Sequence, residues 1–305
     1  MSDFVTFARA HGVLIGDLIA SERIRRCPTE TNPRKKNGAY YWDGERGYVF
    51  AWDGEAKAQW YHDPHARPWT PEQKAEWQAK RRAADAEQQR AQQRAAFRAA
   101  DLIRTSVPGE HNYLAMKGFP KAQGMVLEDG ALLVPMRNIL SNALQGAQII
   151  RWLEDERRYE KKMLPGMKAK GAVLRLGQSA KETILVEGYA TGLSVEAAAR
   201  SVGLSAAVLV TFSDSNLAHV APLVKGRVFV YADHDAMHPR ERIKRDAGEE
   251  YERRGAGELA AIETGLPYCM SDVLGNDAND DHQQFGLMAV CKRLMEVRRR
   301  DVATG

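Results

Sequence analysis

Thr183-Ile184-Leu185-Val186-Glu187-Gly188-Tyr189 is a short apolar run that ends directly on a carboxylate. A helical pattern with small residues follows from Thr191 to Ser201, and a second apolar run occupies residues 207–212. A third run, Arg227-Val228-Phe229-Val230-Tyr231-Ala232, leads into Asp233-His234-Asp235. Continuous β-branched runs of this length are how buried parallel strands read, and ligands gather where such strands end. Glu187 follows its strand at once. Asp233 and Asp235 stand two apart, so an extended backbone points both the same way, while His234 between them points elsewhere. Surface acids at strand ends would be the plain alternative. Three clustered carboxylates repel one another without a cation, however, and oxygen donors are what Mg²⁺ requires.

Length and composition bound the rest. The 305 residues suffice for two small-to-medium domains with a real core. Apolar residues make up 44% and charged residues 28%, an ordinary balance for a soluble globular chain. No run of about 18 apolar residues exists. The opening residues lack a basic region ahead of an apolar core, so neither a membrane span nor a signal peptide is expected, and a cytoplasmic location is. Three widely spaced cysteines, Cys27, Cys269 and Cys291, suit a reducing compartment and form no paired metal knuckle. The net charge of +4 permits a nucleic-acid partner without requiring one.

Residues 1–65 read as a small β-module. Phe4, Phe7 and Ala8 give a short amphipathic helix. Alternating aromatics at Tyr40, Trp42, Tyr48, Phe50, Trp52 and Trp60 then predict three antiparallel strands, with Asp43-Gly44 and Asp53-Gly54 at the turns. Arg23, Arg25, Arg26, Arg34, Lys35 and Lys36 precede the first strand. Cations beside exposed rings suit single-stranded nucleic acid, so Arg25, Arg26, Arg34, Lys35, Lys36, Trp42 and Trp52 are its candidate contacts; the rings forming only their own core is the alternative.

Residues 66–104 form a linker. Pro68 punctuates, Thr70 caps, Pro71 opens the helix, and no Gly or Pro interrupts 72–104. Its apolar residues are mostly Ala, so a solvated connecting rod is expected. In 105–180 the runs around 131–138, 146–155 and 161–177 read as strands of an α+β lead-in. Seven Lys/Arg face four Asp/Glu between Arg151 and Lys170, a balance that favours sequence-independent phosphate contact through Lys161, Lys168 and Lys170, read as neighbours on a Gly-containing loop. Asn216, on the loop after the second core strand, reads equally as a substrate contact or a cap. A helix expected from Glu241 to Arg254 carries Arg240, Lys244 and Arg245, with Lys244 a candidate for triphosphate contact. A basic helix closes the chain, with Met288, Val290, Leu294 and Val297 expected inward.

The run Ile184-Leu185-Val186-Glu187-Gly188-Tyr189-Ala190-Thr191-Gly192, followed by Val228-Phe229-Val230-Tyr231-Ala232-Asp233-His234-Asp235, resembles the TOPRIM domain shared by bacterial-type primases, topoisomerases and some nucleases. Ser215-Asn216-Leu217 and the tail Gly275-Asn276-Asp277-Ala278-Asn279-Asp280 resemble the variant found in primases of phages and plasmids. The resemblance covers roughly residues 105–290. It implies an α/β fold: a TOPRIM core of parallel strands flanked by helices at 181–290, preceded by the basic part of a catalytic domain at 105–180 and followed by a basic helix at 291–305.

The implied activity is primer synthesis, in which nucleoside triphosphates are joined on a single-stranded DNA template with Mg²⁺ or Mn²⁺. Asp233 and Asp235 would hold metal, Glu187 would act as ligand or general base, and Asp280 would be a further metal aspartate whose place Asp277 or Asp281 could take. Arg137 and Lys162 match family positions that face phosphates. Such primases often begin with a zinc ribbon, but only Cys27 remains here, and His11, His62 and His65 lack paired spacing, so no zinc is expected. No Gly-x-x-x-x-Gly-Lys-Ser/Thr occurs, so a replicative helicase would be a separate partner. A nuclease on the same core and a non-catalytic nucleic-acid-binding protein are the rival functions.

Overall fold

Aromatic alternation along the strands marks the smaller sheet, and unbroken apolar runs mark the core of the larger one. The computed structural model of the chain describes residues 3–52, 57–61 and 70–304. The chain divides into two compact units, Met1–Ala79 with Met237–Arg253, and Lys80–Ala236 with Arg254–Gly305.

In the first unit, helix α1 (Asp3–Ala10) packs on an antiparallel sheet of β1 (Ser21–Cys27), β2 (Gly38–Trp42), β3 (Gly47–Ala51) and β4 (Gln59–Tyr61), in that order. Phe4 and Ala8, one helical turn apart, are buried with Val13, Cys27, Tyr40 and Val49. The Phe4 ring stacks on Trp42 with centroids 4.5 Å apart and meets Tyr61 edge-on at 5.5 Å. Gly47 leaves room for it, since a Cβ there would lie 2.7 Å from the Phe4 ring. Asp43 Oδ1 accepts the N–H groups of Glu45 (2.9 Å) and Arg46 (2.6 Å), closing the expected Asp-Gly turn. Asp53-Gly54, His62, His65 and Pro68 lie outside the described residues.

Two expectations for this unit change. Three of the basic residues expected to precede the first strand, Arg23, Arg25 and Arg26, form an additional strand, β1, with Arg25 opposite Tyr40 and Arg26 opposite Ala39. Arg34, Lys35 and Lys36 stand in the loop before β2, so the sheet has four strands rather than the expected three. Cys27 at its end fills the core, and its burial pushes the thiol up to about 11. Helix α6 (Pro239–Asp246) is shorter than the expected 241–254, because Gly248 takes φ +74° and the chain turns out of helix there.

The second unit holds one ten-stranded sheet. Before it, α2 (Pro71–Thr105) runs unbroken; its last turns are not a bare rod, because Ala99 packs with Leu133, Ala147 and Leu164. Then come β5 (Val107–Gly109), α3 (Asn112–Met116), β6 (Gly124–Val126), β7 (Leu132–Asn138), β8 (Leu144–Leu153), β9 (Arg158–Met163) and β10 (Ala172–Leu176), all paired antiparallel. The parallel core follows: β11 (Glu182–Val186), α4 (Tyr189–Ser201), β12 (Ala206–Val210), α5 (Asp214–Val220), β13 (Arg227–Ala232), α7 (Ala256–Thr264), β14 (Tyr268–Met270), α8 (Ala278–Phe285) and α9 (Leu287–Thr304). Its strand order is β14-β13-β11-β12, and β10 continues the sheet antiparallel to β12.

Both faces of the parallel core are covered, which is why its strands read as unbroken apolar runs. Ile184, Val186, Val208, Val210 and Phe229 pack under α4 and α9, whereas Leu185, Leu209, Val228 and Val230 pack under α5 and α7. Gly192 brings α4 close to the sheet, since a Cβ there would lie 2.6 Å from Val210 Cγ2. In α9, Val290, Leu294 and Val297 face inward as expected, joined by Cys291; Met288 is exposed, being out of step with that three-and-four spacing. Among the described residues, no helix is long and apolar enough to cross a membrane.

Candidate functional site

Parallel pairing of β11 with β13, in register at Leu185 and Val230, brings their carboxyl ends together. Glu187 follows the first strand and Asp233 the second. The end of β12 is tied to the same place. Thr211 donates its N–H (2.9 Å) and hydroxyl (3.0 Å) to Val186 O, and the Phe212 N–H donates to Glu187 O at 2.8 Å. Phe212 holds a positive φ of +66° there, a strained conformation for an aromatic residue.

The acids gather around Asp233. Its Oδ1 is buried and accepts no hydrogen bond from the described residues. Burial, then the charges of Asp277, Glu187, Asp235 and Asp280, push its carboxyl up to about 8. Glu187 is pushed up to about 7 by burial and then by Asp214, Asp235 and Asp277, with Lys161 pulling the other way. Asp235 Oδ2 accepts the Gly257 N–H at 3.0 Å, at the start of α7. Helix α7 approaches this closely only because of two glycines. A Cβ on Gly257 would lie 2.5 Å from Asp233 O, and one on Gly255 would lie 2.6 Å from Asp235 Cβ.

The tail aspartates divide the work among themselves. Asp277 caps α8, accepting from the N–H groups of Asn279 (2.6 Å) and Asp280 (2.9 Å), while Asp280 Oδ2 accepts the Asp277 N–H at 3.1 Å. The Thr191 hydroxyl donates to Asp277 Oδ2 at 2.9 Å, linking α8 to the start of α4. Asp281 is buried and accepts from Ser271 Oγ (2.6 Å) and Asn276 Nδ2 (3.0 Å), a structural network. Asp277 therefore acts on Asp233 ahead of Asp280.

The remaining candidates scatter. Lys162 pairs with Glu160 at 2.8 Å, on the face of β9 that also carries Arg158. Its neighbour Lys161 takes the other face, with its ammonium 5.5 Å from the centre of the Tyr113 ring and its charge felt at Glu187. Exposed Arg137 donates to Asn142 O at 3.1 Å. Exposed Lys168 and Lys170 flank His219, which burial and then their charges hold below the usual imidazole range. The Asn216 amide is engaged with backbone: its Oδ1 accepts the Gly171 N–H (2.7 Å) and its Nδ2 donates to Ala172 O (2.8 Å) and Thr211 O (2.7 Å).

Lys244 belongs to the first unit, where it pairs with Glu241 at 2.7 Å; the Arg240 side chain lies outside the described residues. In the same unit Arg25, Arg26, Arg34, Lys35 and Lys36 are exposed and Trp52 is half exposed, but Trp42 is committed to the core against Phe4.

Residue-by-residue reading passed over Asp214, Thr191 and the two glycines at the start of α7, and it placed Lys161 with Lys168 and Lys170 on a loop, whereas Lys161 stands on β9. The sequence carries part of the signal, an acid within Ser213-Asp214-Ser215 shortly after a strand and Gly255-Ala256-Gly257 before a helix, but nothing in it places Asp214 or Lys161 near Glu187.

The side chains are of the type a divalent cation takes, although among the described residues no three His, Cys, Asp or Glu side chains stand together as a ready-made metal site. The set consists of carboxylates alone, Asp233 Oδ1 is buried with no hydrogen-bond partner among the described residues, and burial and the neighbouring acids keep Asp233 and Glu187 from ionising readily. No curated protein matches the chain. A family model described as the Toprim domain matches residues 182–287, the span from β11 to the first residue of α9. The chain thus carries a Toprim domain at residues 182–287, a module typical of Mg²⁺-dependent enzymes that act on nucleic acids.

Proposed function

We propose that the protein is a template-dependent primase that joins nucleoside triphosphates into short oligonucleotides on single-stranded DNA. The observation that carries this reading is the carboxylate cluster at the ends of β11 and β13, with the orphaned Oδ1 of Asp233 at its centre. Asp233 and Asp235 would hold Mg²⁺ or Mn²⁺, with Glu187 beside them and the Asp277–Asp280 capping box behind. Bound there, the ion supplies charge neutralisation on the triphosphate and lowers the pKa of a 3′ hydroxyl.

The chain's own groups do the rest. Burial and the neighbouring acids raise the Glu187 carboxyl in the metal-free protein. With a cation neutralising those acids it would be ionised, as a general base on the attacking hydroxyl must be. Lys161 meets the acids from β9 and is suited to a phosphate that would otherwise be repelled by them. Exposed Arg137, Lys168 and Lys170 offer template phosphates a contact indifferent to sequence. Polymerisation is favoured over cleavage by the resemblance of residues 105–290, the lead-in as well as the Toprim core, to phage and plasmid primases.

The test is primer synthesis on mixed-sequence single-stranded DNA with labelled triphosphates and Mg²⁺ or Mn²⁺, wild type beside Asp233→Ala. Labelled oligonucleotides from wild type alone are expected. Metal-dependent loss of template without product would replace the primase with a nuclease on the same acids. DNA binding indifferent to metal and to Asp233, with neither product nor cleavage, would reduce the chain to an accessory protein.

A further inference from the structure

The four-stranded sheet of the first unit has a second face that α1 does not cover. Strand register lays this face out. Tyr41 lies opposite Tyr48, and Tyr48 opposite Trp60, so three rings run in line across β2, β3 and β4. Tyr41 and Tyr48 stack with centroids 5.7 Å apart, and Tyr48 meets Trp60 at 4.9 Å. In the next row Arg26 and Phe50 both lie opposite Ala39. Just past β3, the Trp52 ring packs on Phe50 at 4.7 Å and carries the Arg26 guanidinium 3.7 Å above its centre. Core residues Tyr40, Trp42 and Val49 take the alternate positions and point to the helix side.

These rings are not buried. Trp52 is 48% and Trp60 51% exposed, large values for tryptophans that already have aromatic neighbours. Cations stand at the same edge. Arg26 donates to Lys36 O from Nε (3.0 Å) and Nη2 (2.6 Å), and the Trp52 N–H donates to Asn37 O at 2.9 Å. Two sets of bonds thus hold the exposed loop of Arg34, Lys35 and Lys36 beside the Trp52 ring.

We infer that this outer sheet face binds single-stranded nucleic acid, with unpaired bases stacking on Trp52, Trp60 and Tyr48 while Arg26 and the 34–36 loop hold phosphates. The pairing of flat rings with fixed cations selects this occupant. Bases offer a π-face to every ring whatever their sequence, and the backbone offers a charge at each step. A duplex keeps its bases stacked inside and would use the cations alone; an acidic peptide would leave the rings idle. The face rests on the proposal that the protein works on a single-stranded template, and it adds a holding surface made of residues outside the carboxylate cluster.

The test is fluorescence anisotropy of a dye-labelled oligothymidine with the full chain in EDTA, so that metal-dependent chemistry is silent. Replacing both exposed rings, Trp52→Ala with Trp60→Ala, is expected to weaken binding about tenfold or more, because stacking is worth on the order of 1–3 kcal/mol per base. The salt dependence should keep its slope, since no cation is removed. Trp60→Phe should restore most of the loss of a single Trp60→Ala, and the melting curve of the double variant should match wild type. Binding unchanged in the double variant, or equal competition by a duplex of the same sequence, would overturn the inference. An oligothymidine bound through the rings by a chain that makes no primers would sink the primase alone and leave this face standing.

Discussion

Asp233 bears most of the repulsion created by gathering acids at one sheet end. In an unfolded chain an aspartate releases its proton near pH ~3.9, and a glutamate near ~4.3. Folded, Asp233 holds its proton to about pH 8 and Glu187 to about 7. Between those limits the folded state binds protons that the unfolded state has lost. The stabilising contribution is therefore complete below about pH 4, declines as pH rises, and is gone above about pH 8. Metal-free protein should show a melting temperature that falls between pH 5 and pH 8, by on the order of 5 °C. Asp233→Asn, with an amide that cannot ionise, should flatten the upper part of that fall. Melting curves in chelator across this range check both, and a variant as pH-sensitive as wild type would show that the carboxyl is not held protonated.

At the same scale, the sequence made some residues plain and hid others for a physical reason. Glu187, Asp233 and Asp235 sit at the ends of apolar runs, and a strand's end is a signal written along one segment. Asp214 and Lys161 reach the cluster from α5 and β9, and nothing local to those segments states where they will meet it. Trp42 and Tyr41 have the same kind of side chain one position apart; only the side on which α1 docks decides that Trp42 is core and Tyr41 is not. Asn216 is the centre of the Ser215-Asn216-Leu217 stretch, yet its amide closes three backbone bonds.

Among the elements, α7 and β9 make the sharpest demands. Helix α7 donates Gly257 N–H to Asp235 while its first residues pass over the backbone of Asp233. Gly257→Ala would put a methyl group 2.5 Å from Asp233 O and 3.0 Å from Asp233 N, and neither is a flexible side-chain tip that can move aside. The loop must shift, at a stability loss of roughly 1–3 kcal/mol. Metal-dependent activity should fall more than a loss of that size explains, because both aspartates move with the loop. Wild-type activity with a lowered melting point would show that the loop's exact position is unimportant.

Strand β9 separates two adjacent lysines by alternation. Lys161→Ala removes a cation whose charge is felt at Glu187 and should raise KM for nucleotide about tenfold, a figure in keeping with the ~1.5–3 kcal/mol of a charge-assisted bond. Lys162→Ala, which breaks an exposed pair with Glu160, should leave both KM and kcat within about twofold of wild type. The reverse order of effects would mean that the family position implied for Lys162 outweighs the face on which it stands.

For the molecule as a whole, β10 is the joint that matters. It pairs with β7 on one side and β12 on the other, so the basic lead-in and the parallel core share one sheet and should unfold together. The smaller sheet keeps its own core around Phe4, Tyr40 and Val49. Two calorimetric transitions are therefore expected from the full chain. All the acids around Asp233 belong to the larger unit. A ligand that binds only the folded form adds about 2.7 kcal/mol at a hundredfold excess over its Kd. For a unit of this size that is an upward shift of roughly 5–10 °C. Mg²⁺ should move one transition by that amount at pH 8 and leave the other in place, and Asp233→Asn should abolish the shift without lowering the melting point of the metal-free protein. If the ion moved the smaller sheet's transition instead, the cluster at the ends of β11 and β13 would not be the metal site, and the chemistry assigned to it would have to be sought elsewhere in the chain.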